Sequence, residues 1–143
     1  MAHFALLDNT DTVLMVIKLS NEDVNNLDFP ESEPVGIEAL NFIYNNENNN
    51  LLEEMYPEKT GFYWKQTSYN NNFRNIYAGE GMTYNSELDR FVPPKPFPSW
   101  IYDSVNNSWN SPVPNPYLGD DSEGVERFAT WDEENQTWIP PEA

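Results

Sequence analysis

Residues 84–96 (YNSELDRFVPPKP), 102–114 (YDSVNNSWNSPVP) and 131–143 (WDEENQTWIPPEA) are three copies of one pattern. In each, an aromatic residue is followed at once by Asn or Asp. A second aromatic stands seven residues after the first, and a proline ten residues after it. The aromatic pairs are Tyr84 with Phe91, Tyr102 with Trp109 and Trp131 with Trp138, and the prolines are Pro94, Pro112 and Pro141. A fixed internal spacing that recurs marks one supersecondary unit used three times.

An antiparallel hairpin fits this spacing. When two strands meet midway through the seven-residue interval, the two aromatics lie opposite each other on one face. The pairs inside them, Asn85 with Arg90, Asp103 with Ser108 and Asp132 with Thr137, are polar and predicted to face solvent. The tips, 86–89, 104–107 and 133–136, contain no Asn-Gly, which predicts a four-residue tip around a type I turn. A cross-strand aromatic pair adds ~0.5–1.5 kcal/mol beyond its burial. A lone hairpin is nevertheless marginal in water, so each unit needs something to pack on. The segments 93–98 (PPKPFP) and 112–116 (PVPNP) read as stiff extended spacers that end the pairing and hold the hairpins apart.

Working outward, residues 4–7 and 12–19 are apolar runs on either side of Asp8-Asn9-Thr10-Asp11, a hairpin with a four-residue turn. The second run, TVLMVIKL, is nearly continuous and is predicted to lie centrally in its sheet. His3 reads as a terminal strand residue. Ser20 to Asp23 resembles a capping box with too few apolar residues behind it for more than one turn, and 25–33 reads as loop. A helix is predicted over 34–44, with Pro34 in its first turn and an apolar stripe of Ile37, Leu40, Phe42, Ile43 and Tyr44. The low-complexity run 45–50 (NNENNN) ends it, and 51–55 adds at most a helical turn. An aromatic strand over 62–69, a turn at 70–72 and a return strand over 73–77 complete the reading. The expected fold class is mainly β with one short helix (α+β), built from antiparallel hairpins. The expected domains are a mixed α+β domain at 1–98 and two proline-spaced aromatic hairpins at 99–143.

Composition narrows the function classes. The chain has 143 residues, 24 acidic against 7 basic, for a net charge of −17. Phosphate contacts need Lys and Arg, so nucleic-acid backbone and anionic membrane are poor partners. Hydrophobic content is only 38%, but 15% of the residues are aromatic, and each ring buries a large area. There is no cysteine, which removes disulfides, zinc-thiolate sites and cysteine nucleophiles. Asn stands at 20 positions and Pro at 12, the usage of turns and loops. The N-terminus lacks the basic segment of a signal peptide, and no stretch approaches the roughly 18 apolar residues of a membrane span. One histidine, no nucleophile elbow, no phosphate loop and no metal-ligand spacing point away from an enzyme, a cofactor or a metal site. Asp120, Asp121 and Glu123 read as a solvated acidic tip rather than a Ca²⁺ site. The acids are scattered through loops instead of set in helical rows, which disfavours a nucleic-acid mimic.

The segments MAHFALLDN and VLMVIKLSNED, residues 65–100 (KQTSYNNNFRNIYAGEGMTYNSELDRFVPPKPFPSW) and WDEENQTWIPP resemble a family of short proteins of marine cyanobacterial phages. Its members are described as virion structural or hypothetical proteins, and related segments occur as modules in longer fibre-like proteins. The likeness is strongest in the N-terminal hairpin and over 65–100, and residues 41–60 read as an insertion. The resemblance implies a particle component exposed on capsid, tail or fibre, assembled in the host cytoplasm, and brings no catalytic motif.

Together these readings point to a virion accessory protein, a capsid decoration or a tail- or fibre-associated subunit that attaches through its aromatic hairpins. The expected partner-binding residues are Trp100, Tyr102, Trp109, Trp131 and Trp138, because Trp and Tyr dominate interface energetics. The last hairpin, with the fewest neighbours in sequence, is the one expected to dock on another subunit. The partners implied are other phage virion proteins and further copies of the chain. The alternative is a carbohydrate-binding host-recognition module, in which the same rings and the many Asn and Asp side chains meet a host-surface glycan.

Overall fold

The computed structural model describes residues 1–48 and 50–141, so Asn49 in the Asn-rich run and residues 142–143 of the third repeat lie outside the described residues. The chain divides into two compact units, Met1–Pro94 and Lys95–Ala143, the division falling inside the first proline run. Its architecture is mixed α+β, with antiparallel strands and, among the described residues, two α-helices where one was expected.

In the first unit, β1 (Ala2–Leu7) and β2 (Val13–Leu19) form the expected N-terminal hairpin, and β3 (Tyr63–Thr67) pairs with the other side of β1. The strand order is therefore β2-β1-β3, and β1, not β2, is central. The physical rule behind the expectation holds: a continuous apolar run belongs where both faces are covered. It applies to Phe4-Ala5-Leu6-Leu7, which is wholly buried, whereas Leu14 to Ile17 are only half-buried. One sheet face carries Ala2, Phe4, Leu6, Leu19 and Trp64 against Val24, Leu40 and Leu52. The other carries Ala5, Leu7 and Val13 against Ala78, Tyr84 and Phe91. The hairpin turn is held by Asp8, whose buried Oδ1 accepts from Thr10 N (2.9 Å), Thr10 Oγ1 (2.6 Å) and Thr12 N (3.2 Å). Those bonds hold the carboxyl below its ordinary pKa although burial alone would raise it.

The single turn expected after Ser20 forms, as a 3₁₀ helix over Glu22–Val24. Helix α1 (Ser32–Tyr44) begins two residues before the expected start, and α2 (Leu51–Met55) is the short helical turn. Of the expected apolar stripe, Leu40 is buried and Ile37 and Tyr44 are half-buried. Phe42 (78% exposed) and Ile43 point to solvent instead, because helical geometry cannot turn five residues within eight positions onto one face. Gly36 sits directly on the Phe4 ring, where a methyl group would overlap ring carbons.

The return strand expected over 73–77 does not form. Asn71, Arg74 and Asn75 have positive φ, which breaks extended pairing, and Asn71 Oδ1 accepts from Tyr77 N. The segment is instead a loop that turns Arg74 inward. Its guanidinium bonds to the Glu33 carboxylate at the start of α1, to the Gln66 carbonyl (2.9 Å) and to Asp89 Oδ1 (2.8 Å). It also lies over the rings of Phe29 (5.0 Å) and Tyr84 (5.7 Å). Burial alone would lower its pKa, but the bonds to Glu33 and Asp89 outweigh that and raise it. Strands β4 (Thr83–Asn85) and β5 (Arg90–Val92) form the first repeat hairpin, seated on the sheet through Tyr84 and Phe91.

Two substitutions test these contacts. Arg74→Met, which keeps the stem and leaves Glu33 unpaired, lowers the unfolding free energy by roughly 3–5 kcal/mol in denaturant melts, and Glu33→Gln added to it recovers part of the loss. Gly36→Ala, which overpacks the helix–sheet contact, costs about 1–3 kcal/mol in the same measurement.

Candidate functional site: the aromatic cluster of the C-terminal unit

The second unit is built from β6 (Ile101–Asp103) with β7 (Ser108–Asn110), and β8 (Thr130–Asp132) with β9 (Thr137–Ile139). In all three repeats the paired aromatics are direct cross-strand partners: Tyr84 with Phe91, Tyr102 with Trp109 and Trp131 with Trp138. Their ring centroids are 5.5, 5.2 and 5.2 Å apart. The tips are the expected four residues, and the fourth has positive φ in each: Asp89, Asn107 and Gln136.

The residue after the first aromatic does more than face solvent. Asn85 Oδ1 accepts from Leu88 N (3.0 Å), Asp103 Oδ1 from Val105 N (2.9 Å) and Asn106 N (3.2 Å), and Asp132 Oδ1 from Asn135 N (3.4 Å). These are Asx-type turns that supply acceptors to tip amides lying outside the ladder. In the first two repeats the phenol closes the other side: Tyr84 donates to Asp89 Oδ1 (2.5 Å) and Tyr102 to Asn107 Oδ1 (2.5 Å). Burial and the Asp89 carboxylate push the Tyr84 hydroxyl up to about 12, and the same bond holds Asp89 below the usual carboxylate range. The third repeat has Trp at this position, and its indole Nε1 donates to Glu133 Oε2 (3.0 Å).

Of the five residues expected to bind a partner, the structure brings three together. Trp100 meets Trp131 and Trp138, each with centroids 6.1 Å away, and Phe97 stacks obliquely on Trp100 at 5.6 Å. Trp131 is 7% exposed, and Trp138 is half-buried with its Nε1 donating to the Val113 carbonyl (2.8 Å). The last hairpin is thus seated within its own unit. Tyr102 and Trp109 form a separate half-buried pair with Lys95 Nζ 5.4 Å from the Trp109 ring centre. Trp100, Trp109 and Trp138 line an open groove of about 470 Å³ with Asn110, Ser111, Pro114 and Asn115.

Sequence reasoning missed Glu133, the polar tie of this cluster. Its carboxylate accepts from Ser99 N (2.8 Å), Ser99 Oγ (2.7 Å) and Trp131 Nε1. No pattern marked it, since it occupies a tip position held by Ser104 in the second repeat. Its pKa is lowered: slight desolvation works the other way, but the bonds from Trp131 and Ser99 prevail. In the acidic segment, Asp121 Oδ1 accepts from Glu123 N (2.8 Å) and Val125 N (3.0 Å), forming its own turn. Among the described residues no group of three or more His, Asp or Glu side chains converges as a metal site requires, and no helix is long and apolar enough to cross a membrane.

Four of the five tryptophans lie in this unit, so tryptophan fluorescence reports its packing. Because the folded pKa of Glu133 is depressed, its tie to Ser99 and Trp131 is fully present above the ordinary carboxylate value of about 4.3 and is lost as pH falls through the lower folded value. The expected result is an emission red shift in that acid range for the wild type. In Glu133→Ala the shift is already present at pH 7, and the acid step is reduced.

No protein-family model, curated protein or solved structure matches this chain.

Proposed function

We propose that the protein is an accessory structural subunit of a phage particle, a capsid decoration or a tail- or fibre-associated protein, held to its neighbours by the surface of the aromatic hairpin unit. The observation that carries this reading is where apolar side chains remain in solvent. Within the second unit Val105 (89% exposed), Tyr117 (94%) and Phe128 (69%) stand out, with Ile101 and Val125 also exposed. Tyr117 and Phe128 line one groove, and large apolar groups left together in water favour a surface that a partner covers. In this reading Ile101 and Val105 are displayed by the hairpin that Tyr102 and Trp109 brace, Tyr117, Val125 and Phe128 by the segment between the two hairpins, and Trp100, Trp131 and Trp138 hold together the unit in which they stand. The resemblance of residues 65–100 to phage virion proteins supplies the setting, and in this reading the chain has no catalytic task.

A second reading is favoured by the groove of Trp100, Trp109 and Trp138. Indole rings beside the side chains of Asn110, Ser111 and Asn115 offer stacking faces and hydrogen-bonding groups of the kind a host-surface glycan needs.

The two readings separate in one experiment on particles produced with chain variants. Tyr117→Ser with Phe128→Ser, both at exposed positions, leaves the melting temperature unchanged and lowers particle occupancy at least tenfold, measured by quantitative mass spectrometry of purified virions. Absence of the wild-type chain from purified particles, or unchanged occupancy of the double variant, overturns the subunit reading. Normal occupancy combined with glycan-array binding that Trp109→Ala abolishes supports the glycan reading in its place.

A further inference from the structure

The three-stranded sheet of the first unit has two edges that are treated differently. On β3, the outward main-chain groups of Gln66 are both occupied: its N–H donates to Glu33 Oε2 (2.7 Å), and its carbonyl accepts from Arg74 (2.9 Å). A carboxylate and a guanidinium thus stand in for a neighbouring strand. On β2, the first residue is covered, Val13 N donating to the Met82 carbonyl (2.8 Å) and Gly81 N to the Val13 carbonyl (2.9 Å).

The register identifies what is left open. Gln66 points its main chain away from β1, so its partner Phe4 directs its own main chain toward β2 and exchanges hydrogen bonds with Ile17. Val16 and Lys18 therefore turn their N–H and C=O groups outward. Among the described residues no backbone group or side chain bonds to either of them on that side.

We infer that β2 pairs antiparallel with β2 of a second copy of this chain, joining two three-stranded sheets into one of six. The occupant is set by the strand's two faces. Met15, Ile17 and Leu19 extend the layer packed on the helices, and Val16 extends the layer packed on the first repeat hairpin. All but Leu19 are half-buried, so an added strand must be apolar on both faces to continue both layers. Within this chain β1 and β2 meet that requirement, and β1 has both edges taken. Two β2 edges related by a two-fold axis are self-complementary. Lys18 is the only charge in the strand, so the acids that give the chain its net charge of −17 stay off the contact itself. Their long-range repulsion still opposes association and is screened by salt.

Sedimentation equilibrium of the full chain tests this. The expected result is a monomer–dimer equilibrium whose dissociation constant falls roughly tenfold between 50 and 500 mM NaCl. Proline is tolerated on an edge strand where its missing N–H faces solvent. Lys18→Pro and Val16→Pro therefore remain folded by circular dichroism and become monomeric. A wild type that stays monomeric at high salt and millimolar concentration overturns the inference. So does a dimer that both proline variants retain. Should the variants lose their fold, hydrogen exchange of the wild type decides: protection of the Val16 and Lys18 amides rises with protein concentration if β2 is the contact, and protection independent of concentration sinks it.

Discussion

A single guanidinium ties the first unit together. Arg74 reaches the start of α1 through Glu33, the edge of β3 through Gln66 and the tip of the first repeat hairpin through Asp89, while its flat faces lie by Phe29 and Tyr84. Lysine has neither the planar fork nor the number of donors to hold three partners at fixed angles. The arrangement requires the left-handed backbone at Arg74, and the Arg74 carbonyl in turn accepts from Phe91 N (3.2 Å). Helix, sheet and hairpin thus meet at one charged group, in a chain with only seven cationic side chains.

The repeat hairpins solve a different problem. Three-residue strands give little ladder, so the structure concentrates order in the tip and in one ring pair. The Asx side chain engages the amides entering the turn, and the phenol engages the residue that leaves it. In the third copy the indole N–H replaces the phenol and reaches sideways to Glu133, which also holds Ser99. The indole bond stays within the hairpin, and Glu133 adds the bonds that join the hairpin to the preceding chain at Ser99.

The ring pairing of the repeat was legible in the sequence because its signal is local: spacing alone paired Tyr84 with Phe91, Tyr102 with Trp109 and Trp131 with Trp138. The N-terminal hairpin and α1 were legible for the same reason. The expectations that failed depend on contacts between segments distant in sequence. TVLMVIKL and FALL have similar apolar content, and only the arrival of β3, far beyond β2 in sequence, decides which of them is central. FRNIY has strand-like composition, but positive φ at Arg74 and Asn75 interrupts it, and Arg74 bonds to Glu33 and Asp89, residues far from it in sequence. Of the cluster in the second unit, the rings could be read and their polar tie could not, because a glutamate in an acidic tip looks like every other solvated acid.

The way each hairpin closes its own tip has a bearing on how the chain came to hold three of them. A unit whose turn amides and ring hydroxyl find their partners within eight residues asks its surroundings only for an apolar seat. Such a segment can be copied along a gene and land beside a new surface already folded in its essentials, with proline on its far side to keep it from merging with the next strand. Copies can then differ by few residues: where the first two carry Tyr at the first ring, the third carries Trp with Glu133 two residues on, and Glu133 adds attachment to a closure that stays local.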